Sequence, residues 1–384
     1  MKRLKIIADE EITYVREVFS SLGEITTIPA SQIIPQNIKE FDVLLVRSVV
    51  KVNSNLLKNT RIKFVGSVTS GIDHIDRNYL RKNGIKLVYA PGCNANSVAE
   101  YVLAALIILS QKKNFCMDKK TIGIIGVGNV GKRVARICTC LGIKFLLNDP
   151  PKFNRTKDKK FISLINPKEA DIITLHVPLT FTGKYKTYHM VDEEFLKKLN
   201  PGTILINTAR GSVIDEKALL RFTGKLGGLI LDVWENEPNI NTDLLKVADI
   251  ATPHIAGYSI EGKLRGTMMV YKRLCQLLNR KERISVSQIL SPAKIKVTVK
   301  DGYRNRWEVL SEAIFKAYNP LNDDRIMRKI LKIDQTKIST LFESLRRNYP
   351  VRHEFGSHQV KFEPPNPAVE LLNVLKCLGF DVIY

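Results

Sequence analysis

Short apolar runs alternate with amphipathic helical patterns over most of the chain. Apolar runs bounded by polar or glycine residues are typical of buried strands. We predict strands at residues 4–8, 43–46, 64–68 and 87–89, and a second series at 121–126, 144–148, 172–176, 203–207, 229–233 and 250–252. Strands that alternate with helices indicate parallel sheets built from βαβ units, so two successive series predict two lobes.

Two long helical patterns, at residues 97–110 and 258–279, are expected to connect these lobes. From residue 286 onwards the pattern changes to a strand, several helices and a final strand, which predicts a separate domain. The expected fold class is α/β, with two Rossmann-like doubly wound parallel-sheet lobes and a C-terminal α+β domain. The expected boundaries are residues 1–96 with 258–285 for the first lobe, 97–257 for the second lobe, and 286–384 for the C-terminal domain.

The net charge of +22 first suggests a polyanionic partner such as nucleic acid. The charge is evenly spread, because residues 281–384 hold 18 Lys and Arg against 12 Asp and Glu, and the remainder has a similar density. Lysine supplies 38 of the 60 positive charges, whereas phosphate-binding sites often use arginine. We therefore favour a lysine-rich solvated surface, with a nucleic-acid site as the alternative.

Six cysteines in 384 residues are too scattered for a disulfide framework. Cys138 and Cys140 lie two positions apart on a predicted helix, so their side chains diverge by about 200° and a shared metal ion is not expected. The most apolar segment, at residues 102–109, is far shorter than the roughly 20 residues of a membrane span. We expect a reduced, cytoplasmic protein without a metal site.

The strongest local motif is T-I-G-I-I-G-V-G-N-V-G at residues 121–131. Its Gly126, Gly128 and Gly131 form G-x-G-x-x-G between a predicted strand and a predicted helix, as a dinucleotide pyrophosphate site requires. Asp149 ends the next predicted strand, where its carboxylate would accept hydrogen bonds from ribose hydroxyls and repel a 2′-phosphate. The motif predicts NAD as the cofactor, and a lysine-rich stretch that follows leaves NADP as the alternative.

Three further segments lie at or near the ends of predicted strands: N-T-A-R-G (207–211), L-D-V-W-E-N-E-P (231–238) and T-P-H-I-A-G-Y (252–258). They supply a cation, a carboxylate and an imidazole where open parallel sheets bind ligands. This set can oxidise an alcohol beside a carboxylate: His254 would take the hydroxyl proton, Glu237 would orient the imidazole, and Arg210 would hold the carboxylate. Each residue alone also fits a structural role, but their combination after a dinucleotide motif indicates a dehydrogenase.

These motifs resemble those of the D-isomer-specific 2-hydroxyacid dehydrogenases. The resemblance implies that Arg210, Glu237 and His254 are catalytic, and that Asp149 and Asp232 contact NAD. It also implies that the first lobe binds the substrate and the second lobe binds the cofactor.

Further segments narrow the resemblance to a subgroup that oxidises 4-phospho-D-erythronate in pyridoxal 5′-phosphate (vitamin B6) biosynthesis. These segments are L-L-V-R-S-V-x-K-V-N (44–53), D-H-I-D (73–76), A-P-G-C-N-A (90–95), H-I-A-G-Y-S-I-E-G-K-x-R-G-T (254–267), R-R-N-Y-P-V-R-H-E-F (346–355) and L-K-C-L-G-F (375–380). By position, the resemblance implies substrate contacts from Ser48, Thr69 and Tyr258. It implies NAD contacts, largely through the backbone, from Asn129, Val130, Val177, Thr208, Ala209 and Gly257.

The sequence departs from this subgroup at three positions. Val177 stands where Thr is usual, so a side-chain hydroxyl contact to NAD is lost while a backbone contact can remain. His353 and Phe355 stand where Arg and Trp are usual. The subgroup uses its C-terminal domain for dimerisation, which implies a homodimer.

A substrate with both a phosphate and a carboxylate requires basic residues, and Arg47, Arg346 and Arg347 are candidates for the phosphate contact. One alternative function is that of another family member, of the phosphoglycerate or glyoxylate/hydroxypyruvate type. A second is a non-catalytic NAD(H)-sensing protein. With a small-molecule substrate, neither nucleic acid nor a membrane is expected as a partner.

Overall fold

Three parallel sheets form the framework of the protein in a computed structural model, which describes residues 3–162, 169–290, 294–300, 305–363 and 368–383. The chain divides into two compact units. The first contains Met1–Asn94 and Ser259–Ala293, and the second contains Ala95–Tyr258 and Lys294–Tyr384. Helices and strands are numbered in chain order across both units.

The first unit is built on a five-stranded sheet. Its elements are β1 (Leu4–Asp9), α1 (Val15–Phe19), β2 (Gly23–Ile28), α2 (Pro35–Ile38), β3 (Val43–Val46), α3 (Ser54–Leu57), β4 (Phe64–Ser67), α4 (Arg77–Lys82), β5 (Lys86–Tyr89) and α11 (Ile260–Leu277). The strand order is β2-β1-β3-β4-β5, and every neighbouring pair is parallel. All four residues of β3 are buried, as expected for a central parallel strand covered on both faces.

The second unit contains a seven-stranded parallel sheet. Its elements are α5 (Ala95–Lys113), β6 (Thr121–Ile125), α6 (Asn129–Leu141), β7 (Lys144–Asn148), α7 (Pro150–Thr156), β8 (Phe161–Ile162), β9 (Ile172–Leu175), α8 (Glu193–Lys198), β10 (Ile204–Asn207), α9 (Glu216–Phe222), β11 (Gly228–Leu231), α10 (Thr242–Val247) and β12 (Ile250–Ala251). The strand order is β12-β11-β10-β9-β6-β7-β8. The chain runs outward from β6 to β8 and then resumes on the other side of β6 at β9. Ligands of open α/β sheets bind at such a reversal, outside the carboxyl ends of the strands.

The C-terminal part of the second unit adds a three-stranded parallel sheet in the order β13-β14-β15. Its elements are β13 (Ile295–Lys300), α12 (Arg306–Ala317), α13 (Pro320–Met327), α14 (Ile338–Arg347), β14 (His358–Glu363), α15 (Val369–Leu378) and β15 (Asp381–Ile383). Buried apolar residues of its sheet, of α12 and of α15 belong to the same hydrophobic cluster as those of α5 and α6. Met327 of α13 and Phe342 of α14 belong instead to the cluster around β9, β10 and β11. A disulfide between Cys140 on α6 and Cys377 on α15, with 5.7 Å between their Cα atoms, also joins this part to the seven-stranded sheet's helices.

The predicted fold class is confirmed by the three parallel sheets and the mixed C-terminal region. β2, β8 and β14 are not among the predicted strands. The final strand is predicted over residues 381–384, of which residue 384 lies outside the described residues. The expectation of a fully reduced chain is wrong for Cys140 and Cys377, whose pairing across 237 positions cannot be inferred from local spacing. The boundary of a separate C-terminal domain at residue 286 stays a prediction.

Two searches of the described residues bear on membranes and metals. No helix among them is long and apolar enough to cross a membrane. No group of three or more His, Cys, Asp and Glu side chains within the same ranges is arranged to hold a metal ion.

Candidate active site and cofactor site

The glycine-rich turn between β6 and α6 has the shape of a dinucleotide cradle. Gly126 has a φ of 87°, and a Cβ at this position would lie 2.7 Å from the His176 backbone. A Cβ at Gly131 would collide with the Gly126 carbonyl, so both positions require glycine. Gly128 faces open space, and α6 begins there without a side-chain cap. The first N–H groups of α6 are thus available to a pyrophosphate, and these residues fit NAD.

Asp149 follows β7, next to this turn. Its Oδ2 accepts a hydrogen bond from Val127 N at 3.0 Å, and its Oδ1 accepts one from Lys152 N at 3.0 Å. The Lys152 ammonium lies 3.5 Å from Oδ2 and also donates to the Val127 carbonyl. Asp149 is therefore held beside the glycine-rich turn with Lys152 next to it, and its contact to the ribose of NAD stays a prediction.

Three neighbouring strands bring the predicted catalytic segments to one edge of the seven-stranded sheet. Arg210 follows β10, Glu237 follows β11 and His254 follows β12. The pairs β10–β11 and β11–β12 are hydrogen-bonded and parallel, so their carboxyl ends lie at the same edge. That edge also carries the glycine-rich turn after β6.

Glu237 and His254 form a direct pair, with 2.7 Å between Glu237 Oε2 and His254 Nδ1. An ionised carboxylate only accepts hydrogen bonds, so Nδ1 carries the proton and Nε2 of the neutral ring is the acceptor. Glu237 Oε1 accepts from Trp234 N at 2.8 Å, which fixes the carboxylate. This arrangement is that of a general base with an orienting carboxylate.

The charge environment keeps Glu237 ionised. Burial opposes its ionisation, but the hydrogen bond of His254, the charge of this ring once it is protonated, the charge of Arg346 and the Trp234 N–H outweigh it, so the pKa of Glu237 lies below its usual value. The carboxylate therefore stabilises a positive charge on His254 when the ring accepts a proton.

The Asp232 side chain is enclosed by the turn at residues 252–256, which carries His254. Its carboxylate is 2% exposed and accepts hydrogen bonds from Thr252 Oγ1 at 2.7 Å and from the N–H groups of Ile255 and Ala256. Burial raises its pKa, and these donors act in the opposite direction. The structure thus shows a role for Asp232 in holding the His254 turn, while the expected contact to NAD stays a prediction.

The six other residues predicted to contact NAD follow strands of the same sheet edge. They are Asn129 and Val130 at the start of α6, Val177 after β9, Thr208 and Ala209 after β10, and Gly257 after β12. Thr208 Oγ1 lies 3.3 Å from Nδ1 of His176, whose pKa burial lowers to about 3, so this histidine stays neutral.

Ser48 and Thr69 belong to the first unit. They follow β3 and β4, which are neighbouring parallel strands, so both lie at one edge of the five-stranded sheet. Ser48 is exposed, whereas the Thr69 hydroxyl donates to the Gly71 carbonyl at 2.7 Å. Arg47 forms ion pairs with Asp9 and Glu11, each at 2.8 Å, which indicates that it anchors its loop.

Tyr258, the third predicted substrate contact, lies in the second unit and is covered by the C-terminal region. Its hydroxyl accepts a hydrogen bond from Arg346 Nη2 at 3.2 Å, and its ring meets Tyr349 edge-to-face with 5.7 Å between centroids. Arg352 donates to the Ala256 carbonyl at 2.9 Å. The segment at residues 346–355 therefore packs against the turn that carries His254.

Two positioning residues escape the sequence analysis. Asn207 is 1% exposed; its side chain donates to the Arg210 carbonyl and accepts from Ala209 N, so it shapes the turn of N-T-A-R-G. Arg352 is 6% exposed and also donates to the Ser97 carbonyl at 2.7 Å. A buried asparagine at a strand end is a recognisable signal for the first, whereas nothing local indicates the second.

Comparison with known proteins identifies the domains that these sites belong to. Residues 109–256 match the D-isomer specific 2-hydroxyacid dehydrogenase NAD-binding domain, and residues 290–379 match a domain of unknown function. The D-lactate dehydrogenase of Aquifex aeolicus, complexed with NAD and lactic acid, is similar in structure (TM-score 0.59, 29% identity, 72% of this chain and 95% of that chain). NAD+-bound 3-phosphoglycerate dehydrogenase of Entamoeba histolytica is also similar (TM-score 0.62, 27% identity, 74% and 99%).

Two curated relatives are similar over nearly the full length. The erythronate-4-phosphate dehydrogenase of Proteus mirabilis is 40% identical over 384 residues, covering 99% of this chain and 100% of the relative. That of Hydrogenovibrio crunogenus is 40% identical over 379 residues, covering 98% of each. The expected NAD-dependent dehydrogenase is confirmed, and the chain belongs to the erythronate-4-phosphate dehydrogenases within the D-isomer-specific 2-hydroxyacid dehydrogenase family.

Proposed function

We propose that this enzyme oxidises the 2-hydroxyl of 4-phospho-D-erythronate to give 2-oxo-3-hydroxy-4-phosphobutanoate, in pyridoxal 5′-phosphate biosynthesis. The observation that carries the proposal is the Glu237–His254 pair, located at the sheet edge that also bears the NAD cradle. The substrate is that of the full-length relatives, whose names state it.

The geometry of the Glu237–His254 pair supports the proposed catalytic roles. His254 Nε2 accepts the proton of the substrate hydroxyl, because Nδ1 is committed to Glu237. Glu237 holds the imidazole in this tautomer and stabilises the imidazolium that forms. Arg210 grips the substrate carboxylate with paired hydrogen bonds and polarises the forming carbonyl. NAD, when bound, accepts the hydride from C2.

The binding roles are proposed by position. Asp149 and Asp232 contact NAD, together with the glycine-rich turn and the strand-end residues named above. Ser48, Thr69 and Tyr258 contact the substrate. The first lobe (residues 1–96 with 258–285) serves substrate binding, residues 97–257 serve NAD binding, and residues 286–384 serve dimerisation.

Two further proposals concern the protein as a whole. It acts in the cytoplasm, where NAD and phosphorylated sugar acids are available, and it works as a homodimer through its C-terminal region. Sedimentation of the full chain at micromolar concentration tests the second point, and a monomeric mass would contradict it.

The function is tested by following NADH absorbance with a panel of 2-hydroxy acids. We expect kcat/KM for 4-phospho-D-erythronate to exceed that for glycolate by roughly 100-fold or more, since glycolate lacks the phosphate and a missing contact to a charged group costs about 3 kcal/mol. It should also exceed that for 3-phosphoglycerate, whose chain is one carbon shorter and holds the phosphate nearer to C2. A preference for 3-phosphoglycerate would identify a different family member's substrate. Turnover of none of these acids, with NADH-dependent binding of a protein partner, would indicate a sensor.

The cofactor role of Asp149 has its own test. Asp149→Ala removes the acceptor for ribose hydroxyls and the repulsion of a 2′-phosphate, so it should weaken NAD binding by about 10-fold or more and NADP binding far less. Fluorescence titration with NADH and NADPH measures both. Equal losses for the two cofactors would contradict the ribose role.

A further inference from the structure

One cation of the C-terminal region contacts Tyr258, a predicted substrate residue. Arg346 lies in the last turn of α14 and donates from Nη2 to the Tyr258 hydroxyl at 3.2 Å. Its guanidinium carbon is 6.0 Å from the centre of the Tyr258 ring. Tyr258 lies four positions after His254, so this contact attaches Arg346 to the segment that carries His254. The charges of Glu237 and Asp232 also act on the guanidinium.

The guanidinium of Arg346 is not satisfied by its protein neighbours. Within the described chain its Nε is buried and has no hydrogen-bond partner. A buried N–H without an acceptor is costly, and an anionic ligand would satisfy it through a charge-assisted bond. Arg352 also has an unpaired Nε, but its guanidinium stacks on Tyr318 at 3.5 Å and donates to two backbone carbonyls, which encloses it.

The other arginines considered for a phosphate contact are positioned differently. Arg47 is engaged by Asp9 and Glu11. Arg347 follows Arg346 on the same helix but is exposed. Arg346 is therefore the candidate that combines a half-buried guanidinium, a predicted substrate contact as its partner and an unused donor.

The substrate of the proposed function needs a second cation. At neutral pH it carries a carboxylate next to the reacting C2 and a phosphate on C4, so Arg210 alone cannot neutralise both ends. Glu237 and Asp232 add negative charge that would repel a nearby phosphate. A fixed guanidinium between these groups removes the repulsion and offers the fork geometry that suits phosphate oxygens.

We propose that Arg346, with the Tyr258 hydroxyl, binds the phosphate group of the substrate and makes the enzyme selective for phosphorylated 2-hydroxy acids; this inference rests on the proposed function. Arg346 is thus a specificity-determining residue supplied by the C-terminal region of the same chain.

The test compares two substrates that differ only by the phosphate, 4-phospho-D-erythronate and D-erythronate. Arg346→Met should lower kcat/KM for the phosphorylated acid by about 10- to 100-fold, mainly through KM, and change that for D-erythronate by less than about 3-fold. Arg346→Lys should restore part of the phosphorylated activity, because it keeps the charge but loses the fork. Arg325→Met, which removes an exposed arginine from α13, is the charge control and should leave both values unchanged.

A loss of equal size for both substrates would overturn the proposal. It would show that Arg346 acts through Glu237, since removing its charge raises the Glu237 pKa, and the acidic limb of the kcat/KM–pH profile would then move upward for both acids. Thermal unfolding of the variants shows whether a loss of activity comes from misfolding. If Arg346→Met is misfolded, the two substrates are compared with Arg346→Lys instead.

The two proposals fail separately. If the wild-type enzyme oxidises 3-phosphoglycerate rather than 4-phospho-D-erythronate, the proposed substrate is wrong, and selectivity is measured on 3-phosphoglycerate against D-glycerate. If it oxidises none of these acids, inorganic phosphate is titrated by calorimetry against the wild type and Arg346→Met. Equal phosphate affinities would overturn the role of Arg346.

Discussion

His254–Glu237 and His189–Glu235 are two pairs in the described part of the second unit, and they differ in the nitrogen that the carboxylate engages. Glu237 bonds Nδ1 of His254, which leaves the outer Nε2 for a substrate. Glu235 bonds Nε2 of His189 instead. The His189 ring also stacks on Tyr188 with 4.0 Å between centroids. The two glutamates are two residues apart, and both histidines have a positive φ. Neither the position in the sequence nor the backbone conformation therefore distinguishes the proposed base from the other histidine.

A second difference is the surrounding charge. Glu237 lies in the field of Arg346 and has a lowered pKa. His254 also stands on a turn whose backbone is held by Asp232, whereas His189 N donates to the Ser212 carbonyl in a loop contact. The proposed base therefore differs from His189 in the nitrogen that its carboxylate leaves open and in the support of its turn by Asp232, although both histidines have a carboxylate partner.

Substituting the two histidines gives the largest expected contrast. His254→Ala should lower kcat by about 10²- to 10⁴-fold, because proton abstraction is lost, while NAD binding persists. His189→Ala should leave kcat within about 3-fold of wild type. Steady-state kinetics with fluorescence titration of NADH measures both variants, and comparable losses in the two would remove the distinction drawn here.

The matching carboxylate changes should give a smaller contrast. Glu237→Gln keeps an oxygen acceptor but removes the charge that stabilises the imidazolium, so kcat should fall by about 10- to 100-fold. Glu235→Gln is the matched control two residues away and should have nearly wild-type kcat. A Glu237→Gln enzyme of wild-type activity would show that the carboxylate only packs against the ring.

Glu216 contacts the second of these pairs, and its substitution should affect stability and leave kcat least changed. Its Oε1 accepts from Glu235 N at 2.8 Å, and burial, with the charges of Glu235 and Glu237, raises its pKa from 4.5 to about 7. The folded state therefore binds this proton more tightly than the unfolded state. The resulting stabilisation is greatest below pH 4.5 and is lost as the pH rises to about 7.

Glu216→Gln should remove this pH dependence while keeping an oxygen that accepts from Glu235 N. Relative to the variant, the wild type should lose up to roughly 3 kcal/mol of unfolding free energy between pH 5 and pH 8. Urea unfolding at several pH values measures the difference. Parallel curves for the two proteins would contradict a proton on Glu216.

Much of the framework could be predicted because parallel strands buried on both faces appear as continuous apolar runs, as in β3 and β10. β14 was not predictable in this way, because only its alternate residues His358, Val360 and Phe362 are buried. Most residues of β2 are only partly buried, so its sequence lacks the continuous apolar run that distinguishes a buried strand from a loop.

The candidate site was predictable where motif and strand end coincide, as for Arg210, Glu237, His254 and the glycine-rich turn. The contacts of Arg346 with Tyr258 and of Arg352 with Ala256 join residues almost 100 positions apart. Such contacts depend on tertiary packing, which the spacing of residues along the chain does not encode. Asp232 illustrates the same limit, since its inward orientation follows from the fold of the His254 turn.

The disulfide between Cys140 and Cys377 turns most of the enzyme into a covalent ring. The ring begins near the end of α6, the helix whose start carries the glycine-rich turn, and it closes on α15. Arg210, Glu237, His254 and Arg346 all lie within it. When the disulfide is formed, the unfolded chain is cyclic over this stretch. The conformational entropy that the unfolded chain thereby loses favours the folded state by about 2–5 kcal/mol. A protease that cuts once inside the ring leaves every catalytic residue tethered to the same molecule until a thiol opens it.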